Sequence, residues 1–367
     1  MTMNKITTIP LTAAFNVPRP FIISGPCSAE TEAQLLTTAR QLAATKKVHA
    51  LRAGIWKPRT RPGQFEGAGL EGLKWLAMAK EETGLPICTE VANVGHVEAC
   101  LKAGVDILWI GARTTVNPFS VQEIADALQG VDIPVMVKNP VNPDLDLWIG
   151  ALERLERAGI KRMAAIHRGF SSFEKGPFRN APMWDIPIEL MTRVPGLEVF
   201  CDPSHIAGSR ELLSMIAQKA LDLDMSGLMI ESHMNPDAAW SDSRQQVTPS
   251  ALAALVEGLV VRSVNSTDKA FKDTLMLLRE QIDQLDDEIM QKLANRMKIS
   301  EKIGQYKKDN NVTILQVERW EEIIQTRVSL GAAMGLDEDF TKDLLRLVHH
   351  GSIQVQTRVM NQTAVKV

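Results

Sequence analysis

Two kinds of side chain recur where the apolar runs of this sequence stop. One kind ligates metals: Cys27, His205, Glu231 and Asp242 offer a thiol, an imidazole and two carboxylates, the donor set of a borderline transition metal. The other kind is cationic. Arg52, Lys57, Arg59, Arg113, Lys138 and Arg168 suit phosphate and carboxylate groups. A metal beside many cations points to small anionic substrates. Each residue alone has a plainer reading. A cysteine after a strand is most often a small buried hydrophobe, His205 can cap a turn, and Glu231 can pair with an arginine. The joint pattern argues the other way, because cations at successive strand ends are costly without an anion to hold. Cys88, Cys100 and Cys201 read as core. His233 competes with His205 for the imidazole role, and Asp202 stays open between orienting a histidine and touching substrate.

These residues need elements to carry them. Apolar runs fall at 21–27, 48–57, 86–91, 107–112, 134–139, 163–169, 199–205 and 227–233, and the segments between them have helical spacing. Such alternation implies βαβ units and a parallel sheet. Eight units over 21–262 match a (β/α)₈ barrel, whose site lies at the C-terminal ends of its strands. A doubly wound open sheet is the runner-up, disfavoured because it gathers its site at one switch point. Residues 1–20 read as an arm or short hairpin, and the polar stretch 263–273 as a linker. From 274 to 367 the pattern is purely helical and begins with a run longer than 25 residues. Ile282, Leu285 and Ile289 stripe that helix, which predicts dimerisation through it.

The bulk composition sets limits. A net charge of -3 and a pI near 6.2 give no overall case for nucleic acid or an anionic membrane. The four cysteines form no CxxC pair, and no long apolar run is present, so the expected location is the cytoplasm.

The motifs GPCSAE (25–30), LRAGIWKPRT (51–60), IGAR (110–113), VKNP (137–140), HRG (167–169), DPSH (202–205), IESH (230–233) and SDSRQ (241–245) together resemble 3-deoxy-D-arabino-heptulosonate 7-phosphate (DAHP) synthase of the short, type Iβ kind. That family condenses phosphoenolpyruvate with erythrose 4-phosphate and releases phosphate. The resemblance implies one divalent metal (Mn, Fe, Co or Zn) on Cys27, His205, Glu231 and Asp242. It implies phosphoenolpyruvate on Arg52, Lys57, Arg113, Lys138 and Arg168, and erythrose 4-phosphate on Arg59 and Thr60, with Lys57 as general acid. A sister family, the 3-deoxy-D-manno-octulosonate 8-phosphate synthases, takes a five-carbon sugar phosphate; KPRT at 57–60 favours the shorter one. His167 departs from the family, which more commonly has an acidic residue there.

In the helical part, LLREQIDQLDDEIMQKLANR, GQYKK, VERW and GSIQVQ resemble the AroQ-type chorismate mutases, which rearrange chorismate to prephenate without a cofactor. By this resemblance Arg279, Arg296 and Arg319 bind carboxylates, and Lys307 with Gln356 meets the ether oxygen. Arg279 acts across a homodimer. Trp320 and Gln316 stand where the family often has Glu and Asp, residues that help hold the substrate hydroxyl. The expected protein is thus bifunctional, with feedback by prephenate. The competing expectation is a synthase whose helical part only regulates or dimerises.

Overall fold

A parallel strand buried on both faces needs apolar side chains on both, and closing the sheet satisfies every edge. The computed structural model, which describes residues 6–57, 63, 65–173, 176–263 and 265–361, shows this closure. The chain divides into two compact units, 1–264 and 265–367. The first carries, in order, α1 (Leu11–Ala14), β1 (Phe21–Gly25), α2 (Glu32–Thr45), β2 (Ala50–Arg52), α3 (Leu70–Thr83), β3 (Ile87–Val91), α4 (Val94–Lys102) and β4 (Ile107–Ile110). It continues with α5 (Ala112–Thr115), α6 (Pro118–Ala127), β5 (Val135–Lys138), α7 (Leu145–Arg157), β6 (Met163–His167), α8 (Asp185–Arg193), β7 (Glu198–Cys201), α9 (Pro203–Ala207), α10 (Leu213–Asp222), β8 (Gly227–Glu231) and α11 (Pro249–Glu257). The strands form a closed barrel in chain order, with β1 beside β8 in parallel register from Phe21↔Gly227 to Gly25↔Glu231.

The period of two sorts the strand residues. Ile23, Ala50, Cys88, Trp109, Met136, Ile166, Phe200 and Met229 form one buried cluster, the interior of the barrel. Leu51, Val91, Leu108, Val137, Ala165, Cys201 and Ile230 belong to the other, between sheet and helices. Two residues past six of these eight interior positions come Arg52, Glu90, Lys138, Arg168, Asp202 and Glu231, and past the other two Gly25 and Gly111. The alternation that packs the core therefore also aims these polar groups into the top of the barrel. Gly25 (φ +153°) lets β1 close onto β2, since a Cβ there would lie 2.0 Å from the Arg52 carbonyl oxygen.

Helices begin where short polar side chains cap them. Thr31, Asn93, Asp144, Asp202 and Thr248 each accept a hydrogen bond from an N–H of the first turn, contacts of about 1 kcal/mol apiece. Three expectations need correction, and one helix was not foreseen. Among the described residues, the N-terminal arm is a one-turn helix rather than a hairpin; Leu11 enters the interior cluster, and Glu198 accepts from the backbone N–H groups of Leu11 and Thr12. The DPSH segment is not strand: after Asp202, Pro203 opens α9, and its fixed φ suits a first helical position. Helix α8 lies in a gap where the apolar spacing is too short and proline-broken to read. The polar linker also ends early, because Asp268 caps a helix beginning at Lys269.

The second unit consists of α12 (Lys269–Asp309), α13 (Val317–Ala333) and α14 (Glu338–Asn361). Gly304 lets α14 approach α12 closely, since a Cβ there would lie 3.1 Å from Gln356 Cα. Most of the apolar stripe of α12 stays uncovered within one chain: Leu278, Ile282, Leu285 and Ile289 are each at least half exposed.

Candidate active sites

At the top of the barrel the donor atoms of Cys27, Glu231 and Asp242 all lie within 4.8 Å of one another. Cys27 Sγ is 3.2 Å from Asp242 Oδ2 and 3.0 Å from Lys57 Nζ. His205, on α9, falls outside that group of three: its Nε2 is 3.7 Å from Glu231 Oε1 and its Nδ1 2.8 Å from Asp202 Oδ2. Asp202 Oδ2 lies beside Nδ1, which leaves Nε2 on the side of Glu231, and Asp202 Oδ1 caps α9 at the His205 N–H. His233 faces elsewhere, with Nε2 3.5 Å from Glu30 Oε2.

The cations surround this cluster. Arg52 is buried, with NH2 3.3 Å from Glu231 Oε1, and its guanidinium lies over the Trp109 ring at 5.0 Å. Lys138 Nζ lies 2.9 Å from Asp202 Oδ2 and 5.6 Å from the same ring centroid. Arg168 NH1 donates to Asn180 Oδ1 at 2.8 Å, and its backbone N–H to Asn139 Oδ1 at 2.7 Å. Arg113 lies on α5, directly after β4. Arg59 and Thr60 lie outside the described residues.

Electrostatics fit a missing positive charge. Burial, and next the Glu231 carboxylate, push the Cys27 thiol up to about 12. Burial also works against ionised Glu231, yet His205 and Arg52 outweigh it and hold that carboxyl below its ordinary value. Glu231 Oε1 is nonetheless sealed from solvent without a hydrogen bond. A thiol kept protonated by burial and next by Glu231, beside a carboxylate oxygen that makes no hydrogen bond, is a set that a divalent cation would complete, displacing the thiol proton. Burial likewise disfavours charged Lys57, but Cys27 and Glu231 overcome it, so the ammonium stays protonated.

Sequence reasoning missed Arg179 and Gln245. Arg179 NH1 lies 2.9 Å from Asp242 Oδ1 and 2.7 Å from Gln245 Oε1, and Gln245 Nε2 donates to Glu231 Oε2 at 2.7 Å. Gln245 stood inside the quoted SDSRQ motif. Arg179 sits in an irregular loop with no periodicity to flag it.

His167 does not enter the site. Its odd parity on β6 turns the ring outward, against Trp184 at 5.1 Å and Phe170 at 5.8 Å. Burial, followed by Arg168, pushes this imidazole down to about 3. The unfolded chain, titrating near 6.5, takes up the proton first as pH falls. The stability contribution is therefore complete above pH 6.5 and shrinks by roughly 1.4 kcal/mol per pH unit as pH drops toward 3. His167→Leu is expected to flatten the fall of the urea midpoint between pH 6.5 and 5. An unchanged slope would show that His167 is not the group responsible.

In the helical unit, Arg296 NH1 donates to Ser352 Oγ and Lys307 Nζ to the Ile314 carbonyl. Gln356 is buried one turn beyond Ser352, its Oε1 without a partner. Arg319, at the start of α13, pairs with Glu322. Arg279 is exposed and 17 residues from Arg296 on one continuous helix, roughly 25 Å along its axis. One chain therefore cannot bring Arg279 and Arg296 together. Ser352 is a further residue that the sequence reading passed over, although it stands at i−4 from Gln356.

Residues 16–262 match the DAHP synthetase I family, and residues 278–357 match the family described as chorismate mutase type II. The phospho-2-dehydro-3-deoxyheptonate aldolase of Thermotoga maritima is 30% identical over 236 residues, which span 64% of this chain and 68% of that protein. The 2-dehydro-3-deoxyphosphooctonate aldolase of Bordetella petrii is 28% identical over 268 residues, 65% of this chain and 89% of that protein. Among solved structures, the Thermotoga maritima DAHP synthase superimposes with a TM-score of 0.59 at 28% identity, covering 65% of this chain and 67% of that one. A truncated form of 3-deoxy-D-arabino-heptulosonate 7-phosphate synthase from Thermotoga maritima gives 0.57 at 26% identity, over 65% and 84% of the two chains.

Proposed function

The chain belongs to the DAHP synthetase I family and carries a chorismate mutase type II domain, a transferase joined to an isomerase, and from that premise we propose how each unit works. The barrel condenses phosphoenolpyruvate with erythrose 4-phosphate, and Cys27, His205, Glu231 and Asp242 hold one divalent ion of the Mn, Fe, Co or Zn type. When bound, that ion supplies Lewis acidity toward the aldehyde of the sugar phosphate. Arg52, Arg113, Lys138 and Arg168 orient the carboxylate and phosphate of phosphoenolpyruvate, and Arg59 and Thr60 take the phosphate of the aldose. As the enol carbon bonds to the aldehyde carbon, negative charge gathers on the aldehyde oxygen. Lys57, kept protonated by its anionic neighbours, donates a proton there. Water then adds at the phosphate-bearing carbon C2, left cationic by the attack of C3, and phosphate departs, its charge met by the same cations.

The observation that carries this reading is the convergence of the Cys27, Glu231 and Asp242 donor atoms within 4.8 Å, with Lys57 Nζ 3.0 Å from the thiol. The helical unit rearranges chorismate, with Arg296 and Arg319 on its carboxylates and Lys307 with Gln356 at the ether oxygen. A second copy covers the bare stripe of α12 and contributes its own Arg279. Together the two activities place the protein in aromatic amino-acid biosynthesis.

Because a 28%-identical relative is a 2-dehydro-3-deoxyphosphooctonate aldolase, aldose length is the sharpest test of the barrel. Phosphate release should be fastest with erythrose 4-phosphate and weak with arabinose 5-phosphate. The opposite order would assign the barrel to the sister reaction.

A further inference from the structure

One side chain of the helical unit has a defined orientation and no stated task. His349 lies on α14 at i−3 from Ser352 and i−7 from Gln356, so the three share a helix face. Its ring stacks on Trp320 of α13, with centroids 3.9 Å apart and planes 18° from parallel. That stack fixes the imidazole without using either nitrogen. Its Nε2 is shut off from solvent and makes no hydrogen bond, a condition shared on this face by Gln356 Oε1. The neighbours are cationic: Arg296 NH1 reaches the Val348 carbonyl (3.5 Å) and Ser352 Oγ, and Lys307 lies near enough to act on the ring.

We propose that His349 is a substrate-contacting, specificity-determining residue of the mutase site, its Nε2 hydrogen-bonding the secondary hydroxyl of chorismate while Trp320 holds the ring in place. The assignment rests on reading the helical unit as a mutase. Chorismate offers two carboxylates, an ether oxygen and one hydroxyl. Carboxylates take charge-assisted bonds from guanidinium groups, which Arg296 and Arg319 supply, and Lys307 serves the ether oxygen. Burial, then Arg296 and Lys307, hold the His349 imidazole below its ordinary pKa. The ring is therefore neutral near pH 7. A neutral imidazole nitrogen gives or accepts one hydrogen bond, which matches a hydroxyl and adds no third cation. Gln356 lies two turns further along α14, about 10 Å away on the axis, so its amide and the imidazole flank the adjacent ether and hydroxyl oxygens of one ligand.

The test measures mutase kcat/KM on the full-length chain and two variants, with chorismate and with an analogue whose hydroxyl is replaced by hydrogen. His349→Leu should lower kcat/KM for chorismate about 10- to 100-fold. The analogue should be turned over equally by His349→Leu and the parent. His349→Gln, whose amide nitrogen reaches near the Nε2 position, should recover most of the chorismate rate. Equal chorismate kinetics for His349→Leu and the parent would overturn the assignment. So would an equal loss on chorismate and analogue, which marks a packing role. A parent chain with no chorismate turnover would instead remove the mutase reading and this assignment with it.

Discussion

Replacing Cys27 by alanine is expected to strip the barrel of its metal ion and to stop the condensation. Cys27 holds the centre of the donor set, 3.2 Å from Asp242 and 3.0 Å from Lys57. Loss of a supporting partner around a metal site typically costs about 10- to 100-fold in affinity or activity, and loss of a ligand costs more. Turnover should therefore fall more than about 100-fold, and purified Cys27→Ala should carry less than one-tenth of the parent's metal by elemental analysis. The fold should survive, since the change removes one sulfur from a buried site and leaves Lys57 beside Glu231. A variant that keeps both metal content and rate would show that the thiol is only a buried small hydrophobe, the plainer reading of that position.

Asp202→Asn should damage stability and metal binding together. The Asp202 side chain is fully buried and holds Lys138 at 2.9 Å and His205 at 2.8 Å through the same oxygen. Burial works against its charge, but His205 and Lys138 outweigh that and keep its carboxyl well below the usual range. The asparagine leaves Lys138 buried without a counter-charge, a loss of roughly 3–5 kcal/mol when one partner of a buried pair is removed. It also frees the His205 ring to adopt the wrong tautomer, which lowers metal affinity by about 10- to 100-fold. Urea midpoint and metal dissociation constant are the two readouts. A shift in stability with unchanged metal affinity would remove Asp202 from the site and leave it as a structural partner of Lys138.

Much of the barrel was legible because one physical rule writes both its core and its site. Alternation along each strand sends Met136 and Phe200 to the interior, and the same parity sends Lys138 and Asp202 to the top. The rule also explains why Cys201, on the opposite parity, belongs to the core, and why His167 faces Trp184. Where backbone geometry departs from a strand, the pattern loses force. His205 approaches Glu231 only because Pro203 starts a helix after Asp202. His233, which strand periodicity left as a rival, follows a backbone that has already left β8. Arg179 and Gln245 were invisible for a related reason: loop residues meet the site through long-range contacts that no local period encodes.

The helical unit was legible in length and register but not in its contacts. Spacing places Arg279 and Arg296 on neighbouring faces of one helix, yet a straight 41-residue helix keeps them far apart. The contact between Trp320 and His349 joins two helices, so neither residue announced the other. No helix among the described residues is long and apolar enough to cross a membrane.

One chain carrying a metal-dependent condensation and a metal-independent rearrangement at separate sites is the expected behaviour. Its most direct test follows phosphoenolpyruvate and chorismate consumption by the same full-length preparation, before and after exhaustive chelation and again after adding back a divalent ion. Chelation should abolish the condensation, leave chorismate turnover intact, and be reversed by the ion. Condensation that persists without metal, or a preparation that never turns over chorismate, would contradict the account.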